Sequence, residues 1–212
     1  MVRRLSGHTL DRDSDELLFE QYRRGDLGAF RTLVERHHDD LLRFLTRLTG
    51  DAAGAEDVFQ ETFLQVHHAA DTFDETRKLR PWLFTIAANK ARDYLRRKAR
   101  RRTLDLSAPL ESNGDGSGGS FIDLLEVRVP GPDARMSESE TNEKVQRALG
   151  TLPYALREIL LLAYFQRLSY NLIADELEIP IGTVKSRLHS AVAAFAKQWK
   201  LQNPESNNLH ES

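Results

Sequence analysis

Four hydrogen-bonding side chains lie close together near the end of the chain, in a pattern that could read DNA. They are Thr183, Ser186, Arg187 and Ser190. Short hydroxyl groups with an arginine at the start of a helix suit a helix N-terminus in the major groove, where each base pair presents its own donors and acceptors. A plain helical hairpin with a solvated polar face has the same spacing, so the pattern alone leaves that second interpretation open.

A pair of short helices is predicted to position these side chains. Ser169 is the candidate N-cap of the first helix, and Pro180 and Gly182 are expected to stop it and permit a turn. Thr183 is expected to cap the second helix. The apolar residues of the second helix share its other side and are expected to pack: Val184, Leu188, Ala191 and Phe195.

A second group of candidate DNA-binding residues lies on a long predicted helix that begins near Pro81. From residue 90 to residue 102 the chain holds eight basic residues and one acid. Arginine and lysine neutralise phosphates, the amide of Asn89 could pair with a base edge, and Trp82 could stack on an unpaired base. The alternative is a solvated basic face on which Trp82 is half-buried packing.

One leucine is unusual on the helix before it, because it projects from a polar stripe. The stripe consists of Asp57, Gln60, Glu61 and Gln65, with Leu64 in its middle. An exposed leucine usually has no special role. A leucine ringed by acids and amides could also be a small protein-docking patch, and the pattern leaves both interpretations open.

Composition limits the classes of function. The net charge is -2 over 212 residues. Because the chain as a whole is not a polycation, any contact with nucleic acid has to come from local segregation of charge. The absence of cysteine excludes disulfides and thiolate metal sites, and it fits a reducing compartment.

The sequence lacks the motifs of catalysis and cofactor binding. His37 and His38 form one adjacent pair and His67 and His68 another, which suggests a metal. Neighbours on a helix point about 100° apart, however, and no cysteine or carboxylate set completes a site. There is no phosphate-binding glycine loop, nucleophile elbow or HExxH pair. We therefore expect no catalytic residue, no metal and no cofactor.

Helical periodicity runs along the chain without any strand-like alternation. We predict an all-α protein of two small helical domains joined by a flexible linker, with a helix-turn-helix in the second domain. The predicted boundaries are 15–102 for the first domain, 103–140 for an acidic linker rich in glycine, serine and proline, 141–200 for the second domain and 201–212 for a polar tail. No apolar run approaches the roughly 18 residues of a membrane span, so we expect a cytoplasmic protein.

Two segments in this order resemble the extracytoplasmic-function (ECF) group of bacterial RNA polymerase sigma factors. Residues 30–102 are similar to the second conserved region of these proteins, through the motifs at 55–63 and 81–96. Residues 144–198 are similar to the fourth region, through the motif at 182–189. The glycine- and proline-containing acidic segment between them takes the place of the interdomain linker of the family.

The resemblance implies a dissociable initiation subunit of RNA polymerase. The first domain would dock on the clamp helices of the largest polymerase subunit and melt the -10 promoter element, while the second would read the -35 element as duplex. By position, the core-polymerase contacts would be Asp57, Gln60, Glu61 and Leu64. The -10 contacts would be Arg80, Trp82, Asn89, Arg92, Arg96 and Arg97. The -35 contacts would be Thr183, Lys185, Ser186 and Arg187. The family also leads us to expect an anti-sigma factor as a partner.

The sequence departs from the family at two points of the reading unit. Glu178 stands where relatives usually have glycine, so the turn is expected to form without a residue that is free at positive φ. Residues 190–194 are small or apolar where relatives are often rich in arginine. Fewer phosphate contacts follow, and we expect weak autonomous -35 binding with a shallow salt dependence.

Two other functions fit part of the sequence. A stand-alone helix-turn-helix regulator that binds an operator as a dimer explains residues 150–195 but leaves the Leu64 stripe and the Trp82 helix as coincidences. An adaptor that binds polymerase without opening DNA keeps the Leu64 stripe and discards Trp82 and Asn89. Promoter opening that requires polymerase distinguishes a sigma factor from both.

Overall fold

The computed structural model describes residues 14–105 and 137–202, and these residues form helices joined by short turns. The helices before the gap are α1 (Asp15–Arg23), α2 (Leu27–Thr49), α3 (Ala52–Ala69) and α4 (Leu79–Asp105), with a 3-10 turn at Ala70–Thr72. We call them the first domain. No strand occurs in the two described ranges, and the predicted all-α fold is confirmed.

The helices after the gap form the second domain. They are α5 (Ser137–Gly150), α6 (Tyr154–Leu160), α7 (Tyr170–Leu177) and α8 (Ile181–Gln202), with a π-helical turn, Leu161–Phe165, after α6. The predicted linker is therefore helical at both of its ends, because α4 continues to Asp105 and α5 begins at Ser137. The rest of that linker, 106–136, and residues 203–212 lie outside the described residues.

Local signals in the sequence set both ends of α2. The Asp26 carboxylate accepts hydrogen bonds from the backbone N–H groups of Gly28 (2.8 Å) and Ala29 (3.2 Å), which have no acceptor inside the helix. At the other end Gly50 adopts a left-handed conformation with φ of 75°, which glycine does without steric cost. These caps fix the length of the helix on which α3 and α4 pack.

The apolar faces of α2, α3 and α4 form the core of the first domain. The buried residues of α2 recur at helical spacing: Leu33, Leu41, Leu45 and Leu48. Phe44 of α2 meets Phe84 of α4 edge to face, with ring centroids 5.2 Å apart. Burial of each such side chain stabilises the fold by about 1.5–3 kcal/mol relative to exposure. The core thus holds α3 and α4 side by side with their polar faces outward.

The second domain has its core between α6, α7 and α8. Its fully buried side chains include Ile159, Leu161, Leu162, Ile173, Val184 and Leu188. The predicted packing side of α8 is confirmed, since Val184, Leu188 and Ala191 are buried and Phe195 is half-buried. The two domains also touch, and the second lies mainly against α2 and α4 of the first.

The turn between α7 and α8 corrects two expectations. Ser169 caps α7 as predicted, its hydroxyl accepting from the N–H of Leu172 at 3.3 Å. Glu178, however, itself adopts the left-handed conformation, with φ of 52°, and ends α7. The turn is therefore made at positive φ by a residue with a Cβ, at a cost of roughly 1–2 kcal/mol.

The second correction concerns the start of α8. This helix begins at Ile181, so Thr183 lies within its first turn and is not its N-cap. The N–H of Thr183 donates to the carbonyl of Pro180 at 2.8 Å, a bond of the first turn of the helix. Proline is compatible with a position just before a helix because its fixed φ suits the entry and no N–H is required there.

Candidate nucleic-acid interface

α3 presents the predicted polar stripe to solvent. Asp57 and Gln60 are exposed, and Leu64 keeps 58% of its surface accessible. The opposite face of the helix is buried: Val58, Phe59, Thr62, Phe63 and Val66. A leucine that projects into solvent from a well-packed helix can bury its surface only against another molecule. Its role as a docking residue stays a prediction.

Glu61, a residue of the stripe, is already paired with a residue of α4. Its two carboxylate oxygens accept hydrogen bonds from Nη2 of Arg97 at 2.8 and 3.1 Å. The pair joins a predicted polymerase contact on α3 to a predicted DNA contact on α4. Because both side chains remain well exposed, the pair contributes at most about 1 kcal/mol and can open at small cost.

Asp51 holds α3 and α4 in a fixed relation. One oxygen caps α3 by accepting from the N–H of Gly54 at 3.2 Å, and the other accepts from the Tyr94 hydroxyl (2.8 Å) and the Lys98 ammonium (2.7 Å) of α4. The Lys98 contact, followed by those of Tyr94 and Gly54, holds the pKa of Asp51 well below its usual range. The polar stripe of α3 and the basic face of α4 are therefore held in one relative orientation.

Glycine at position 54 makes this close approach possible. A Cβ built there would overlap the hydroxyl and the ring of Tyr94. Gly54 thus lets α4 approach the first turn of α3, where the Asp51 contacts are made.

Trp82 and Asn89 lie on the same helix, but their surroundings differ. Trp82 is half-buried, with its ring centroid 4.6 Å from that of Phe73 and 5.7 Å from that of Phe19. Packing thus buries part of the indole ring, and only the exposed part can stack on a base. Asn89 is exposed on α4.

The predicted -10 arginines fall into two groups. Arg96 and Arg97 are exposed. Arg80 is engaged by Asp40 (3.0 Å) and by the side-chain oxygen of Gln166 in the second domain (2.9 Å), and its hydrogen bond lowers the pKa of the Asp40 carboxyl. The structure therefore brings one of these arginines into contact with the other domain.

Arg92 is engaged by Glu158, a residue of α6 that sequence reasoning did not assign to any site. Nη2 of Arg92 lies 2.7 Å from Oε1 of Glu158, which is only 2% exposed. Loss of solvent raises the pKa of Glu158, and Arg92 opposes that shift. The sequence carried one signal for this residue, because a lone acid directly before the apolar run 159–162 has to find a partner when it is buried.

The predicted -35 residues occupy the first turns of α8. Lys185 and Ser186 are exposed, whereas Thr183 and Arg187 are half-buried. The Ser186 hydroxyl donates to the carbonyl of Thr183 at 3.1 Å. Lys185 and Ser186 can therefore reach a groove directly, and Arg187 points toward the first domain.

A cavity of about 590 Å³ lies between α4 and the second domain. Arg92, Arg96 and Arg187 line it together with Glu158, so a predicted -35 residue shares this space with two predicted -10 residues. Guanidinium groups match the geometry of phosphate and carboxylate oxygens. Positive charge from α4 and α8 is thus concentrated around one buried carboxylate.

The histidine pairs do not meet at a metal-binding arrangement. In the described ranges, no three side chains of the histidine, cysteine, aspartate and glutamate types come together as possible metal ligands. His37 is buried with Nε2 2.9 Å from Oδ2 of Asp15, and His67 contacts the Tyr22 hydroxyl. Among the helices described here, none combines the length and apolar character that crossing a membrane requires.

Two family models match this chain and together cover more than half of it. The model of sigma-70 region 2 matches residues 33–101, and that of sigma-70 region 4 matches residues 142–195. The RNA polymerase sigma-H factor of Pseudomonas aeruginosa is 32% identical over 89% of this chain and 95% of its own length. The chain belongs to the ECF group of sigma factors. It is accordingly a factor that directs core RNA polymerase to promoters.

Further relatives agree with this family. The ECF RNA polymerase sigma factor SigW of Bacillus subtilis is 32% identical to this sigma factor over 85% of the chain and 94% of the relative. The structure of CnrH in complex with the cytosolic domain of CnrY aligns with a TM-score of 0.59 at 28% identity, covering 90% of this chain and 98% of that one. The sigma factor RpoE in complex with the anti-sigma factor NepR, from Bartonella quintana, shares the fold with a TM-score of 0.60 at 23% identity, over 81% and 97% of the two chains.

Proposed function

We propose that this sigma factor uses three different helix faces to bind its partners in transcription initiation. The outer face of α3, with Asp57, Gln60, Glu61 and Leu64, docks on the clamp helices of the largest subunit of core polymerase. The face of α4 binds the -10 element, and the first turns of α8 bind the -35 element. The extents we assign are 15–102 for the first unit, 103–140 for the linker, 141–200 for the second unit and 201–212 for the tail.

The exposure of Leu64 on α3, at a fixed distance from the basic face of α4, is the observation that carries this proposal. A leucine surrounded by Asp57 and Gln60 offers a small apolar centre with a polar rim, the arrangement of a protein-docking patch. Because Asp51 ties α3 to α4, docking on polymerase would place the -10 residues at one position in the complex. Positioning of this kind suits a subunit that melts DNA only while bound to the enzyme.

On α4, we assign some residues to an unstacked base and others to the DNA backbone. Trp82 and Asn89, with the loop 72–80 and Arg80, receive an unstacked base, while Arg92, Arg96 and Arg97 hold phosphates. Unstacking costs a few kcal/mol per step, so the open form has to be bound better than the duplex. The exposed part of the Trp82 ring and the amide of Asn89 supply contacts that a stacked base cannot make.

On α8, the proposed contacts are Thr183, Lys185, Ser186 and Arg187. The exposed Lys185 and Ser186 face outward at the N-terminal end of the helix, a position that suits the major groove. Arg187 reaches DNA when it leaves the cavity that it shares with Arg92. The chain itself performs no catalysis in this proposal, and it needs no metal or cofactor, since the nucleotide chemistry belongs to the polymerase.

The proposal places the protein in the cytoplasm, on the nucleoid when it is bound to polymerase, because its partners are polymerase and promoter DNA. An anti-sigma factor is the further partner that we propose, since a sigma factor of the same fold has been solved with one. Such a partner would act by covering the α3 stripe, the α4 face, or both.

Promoter opening tests the proposal. Purified core polymerase and the full chain are mixed with a promoter duplex, recovered from genomic DNA by the holoenzyme, that carries a fluorescent base in its -10 element. We expect opening only when both proteins are present. Polymerase-independent binding as a dimer would indicate a stand-alone regulator, and polymerase binding without opening would indicate an adaptor.

Two tryptophan variants, one of them a control, test the proposed base-binding residue in this assay. Trp82→Ala should bind polymerase normally and lose most of the opening signal, because the stacking surface is removed. Trp199→Ala is the matched control, since Trp199 stacks on Phe195 at the far end of α8. Equal opening by the two variants would remove Trp82 from the proposed site.

A further inference from the structure

The second domain lies against the first through hydrogen bonds that join its helices α5 and α6 to α2 and α4. The Gln146 amide donates to the carbonyl of Thr46 at 3.1 Å, and the Arg157 guanidinium donates to the carbonyl of Leu48 at 2.8 Å. Both carbonyls lie near the end of α2, where the last carbonyls have no acceptor role within the regular helix. That of Thr46 also accepts the N–H of Gly50, which ends the helix, so the second domain contacts α2 at its C-terminal cap.

A third contact reaches the middle of α4. The Tyr154 hydroxyl donates to the carbonyl of Ala88 at 2.6 Å, immediately before Asn89. The ring of Tyr154 also lies beneath the guanidinium of Arg92, 5.6 Å from its centroid. Tyr154 thus occupies the side of α4 next to the proposed base-binding amide.

Two arginines of the proposed -10 site are bound by the second domain in this arrangement. Arg92 pairs with the buried carboxylate of Glu158, and Arg80 donates to the side chain of Gln166. A phosphate that approached Nη2 of either arginine would have to displace the side-chain oxygen of Glu158 or Gln166 that is bound there. Backbone binding by Arg80 and Arg92 and closure of the two domains are therefore competing states.

The buried carboxylate of Glu158 also needs Arg92 as its partner in the closed state. A carboxylate that is 2% exposed is costly to bury unless it is paired, and Arg92 is the cation that pairs with it. When the domains separate, this ion pair is broken and Arg92 becomes available to a phosphate. Closure and phosphate binding thus exchange one anionic partner of Arg92 for another.

The polymerase face lies outside the contact. Asp57, Gln60 and Leu64 remain exposed on α3, while the helices that touch the second domain are mainly α2 and α4. The closed arrangement therefore covers the proposed DNA-binding face of α4 and leaves the proposed polymerase-binding face of α3 accessible.

We propose that the free chain is autoinhibited: the second domain closes over the promoter-facing side of α4, with Glu158, Gln166 and Tyr154 as the inhibitory contacts, and DNA gains Arg80 and Arg92 only after the domains separate. The inference rests on the proposed function in assigning the -10 contact to α4. Closure itself does not depend on that assignment and can be measured separately.

A reversible cross-link tests the inhibition in the full chain. The sequence has no cysteine, so Thr46→Cys with Gln146→Cys introduces the only two thiols, at facing positions outside the proposed DNA and polymerase sites. A short bismaleimide with a reducible disulfide then locks the closed form. We expect the locked chain to bind short single-stranded oligonucleotides of randomised sequence, at low salt, at least about tenfold more weakly than the same chain after reduction. Equal affinity before and after reduction would overturn the inference.

Fluorescence energy transfer tests closure without DNA. Glu35→Cys on α2 and Lys197→Cys on α8 carry a donor and an acceptor at exposed positions. We expect high energy transfer in the free chain and low energy transfer in the Glu158→Gln variant. This substitution keeps the shape of the side chain and removes the charge that pairs with Arg92. Glu143→Gln, an exposed acid on α5, is the matched control and should leave transfer unchanged.

The two measurements separate the possible failures. A free chain with low transfer, or a Glu158→Gln chain that stays closed, would overturn the inference while the proposed promoter contacts stand. A chain that opens with Glu158→Gln but binds oligonucleotide no better would overturn the assignment of the -10 site to α4, and with it the inhibitory role of the contact. Opening accompanied by tighter binding supports both.

Discussion

Asp51 illustrates how much can depend on one carboxylate. It caps α3 and also accepts from Tyr94 and Lys98 of α4, so its replacement changes the relation between two helices. Asp51→Asn keeps an oxygen for the cap and loses the charge. We expect the free energy of unfolding to fall by about 1 kcal/mol at neutral pH, measured by chemical denaturation.

The pH dependence of that loss follows from the lowered pKa of Asp51. A carboxylate whose folded-state pKa lies below its ordinary value of 3.8 contributes its full stabilisation above that value and loses it as the pH falls through the folded-state pKa. The difference in unfolding free energy between the wild type and Asp51→Asn should therefore narrow below about pH 4. A difference that stayed constant on acidification would show that the charge of Asp51 is not what stabilises the fold.

Gly54 offers a second test of the same helix contact. Gly54→Ala introduces a Cβ into the space of the Tyr94 ring, so we expect a loss of about 1–3 kcal/mol despite the better helix propensity of alanine. Gly150→Ala is the matched control, because no atom lies within 4 Å of a Cβ at that position. Thermal melting of the two variants compares them, and an equally stable pair would contradict the close approach.

Among the helices, α3 carries the polymerase prediction. Asp57→Ala with Leu64→Ala removes the apolar centre and one acid of the stripe, and we expect association with core polymerase to be abolished while helicity is unchanged. Leu27→Ala is the matched control, since Leu27 is 75% exposed on α2 and lies outside the stripe. Co-purification with core polymerase and circular dichroism measure the two properties. Retained association would move the docking face elsewhere.

On α8 the prediction concerns a phosphate contact. Lys185→Ala should weaken promoter binding by the holoenzyme about equally for all -35 sequences, and the slope of log affinity against log salt should fall by about 1. Lys197→Ala, an exposed lysine near the other end of α8, should leave that slope unchanged. A sequence-dependent loss with Lys185→Ala would make the residue a base contact instead.

The sequence predicted the helices better than it predicted their junctions. The ends of α2 follow from Asp26 and Gly50, whose preferences for a cap and for positive φ act locally. The turn before α8 did not follow, because Glu178 adopts positive φ against its own preference. Ile173 and Val184, on either side of the turn, are buried in the core, and tertiary packing of this kind outweighs a local conformational preference.

In the molecule as a whole, the exposed stripe on α3 and the basic face of α4 were predictable from helical periodicity, since a wheel shows which residues face away from a core. The contact of Arg92 with Glu158 was not, because these residues are 66 positions apart and no local rule joins them. The half-burial of Trp82 between Phe19 and Phe73 was also undetermined for this reason. Sequence periodicity indicates which residues are exposed but does not identify the groups that meet.

Binding to an isolated -35 duplex tests how far the two DNA modules depend on polymerase. The free full chain should bind such a duplex weakly and with a shallow salt dependence, because residues 190–194 add no arginine to α8. In the holoenzyme the same contacts become effectively intramolecular and should be tight. Titration at two salt concentrations measures both states, and tight binding by the free chain would contradict the prediction.

The position of Leu64 outside the closed contact has a consequence for how the factor finds its targets in a cell. A chromosome offers millions of weak binding sites, which would retain any small protein that carried its arginines uncovered. With Arg80 and Arg92 covered and the α3 leucine accessible, newly made molecules would bind the chromosome more weakly than open ones and would meet the transcription enzyme sooner. The number of molecules available for recruitment would then depend on synthesis and turnover rather than on genome size.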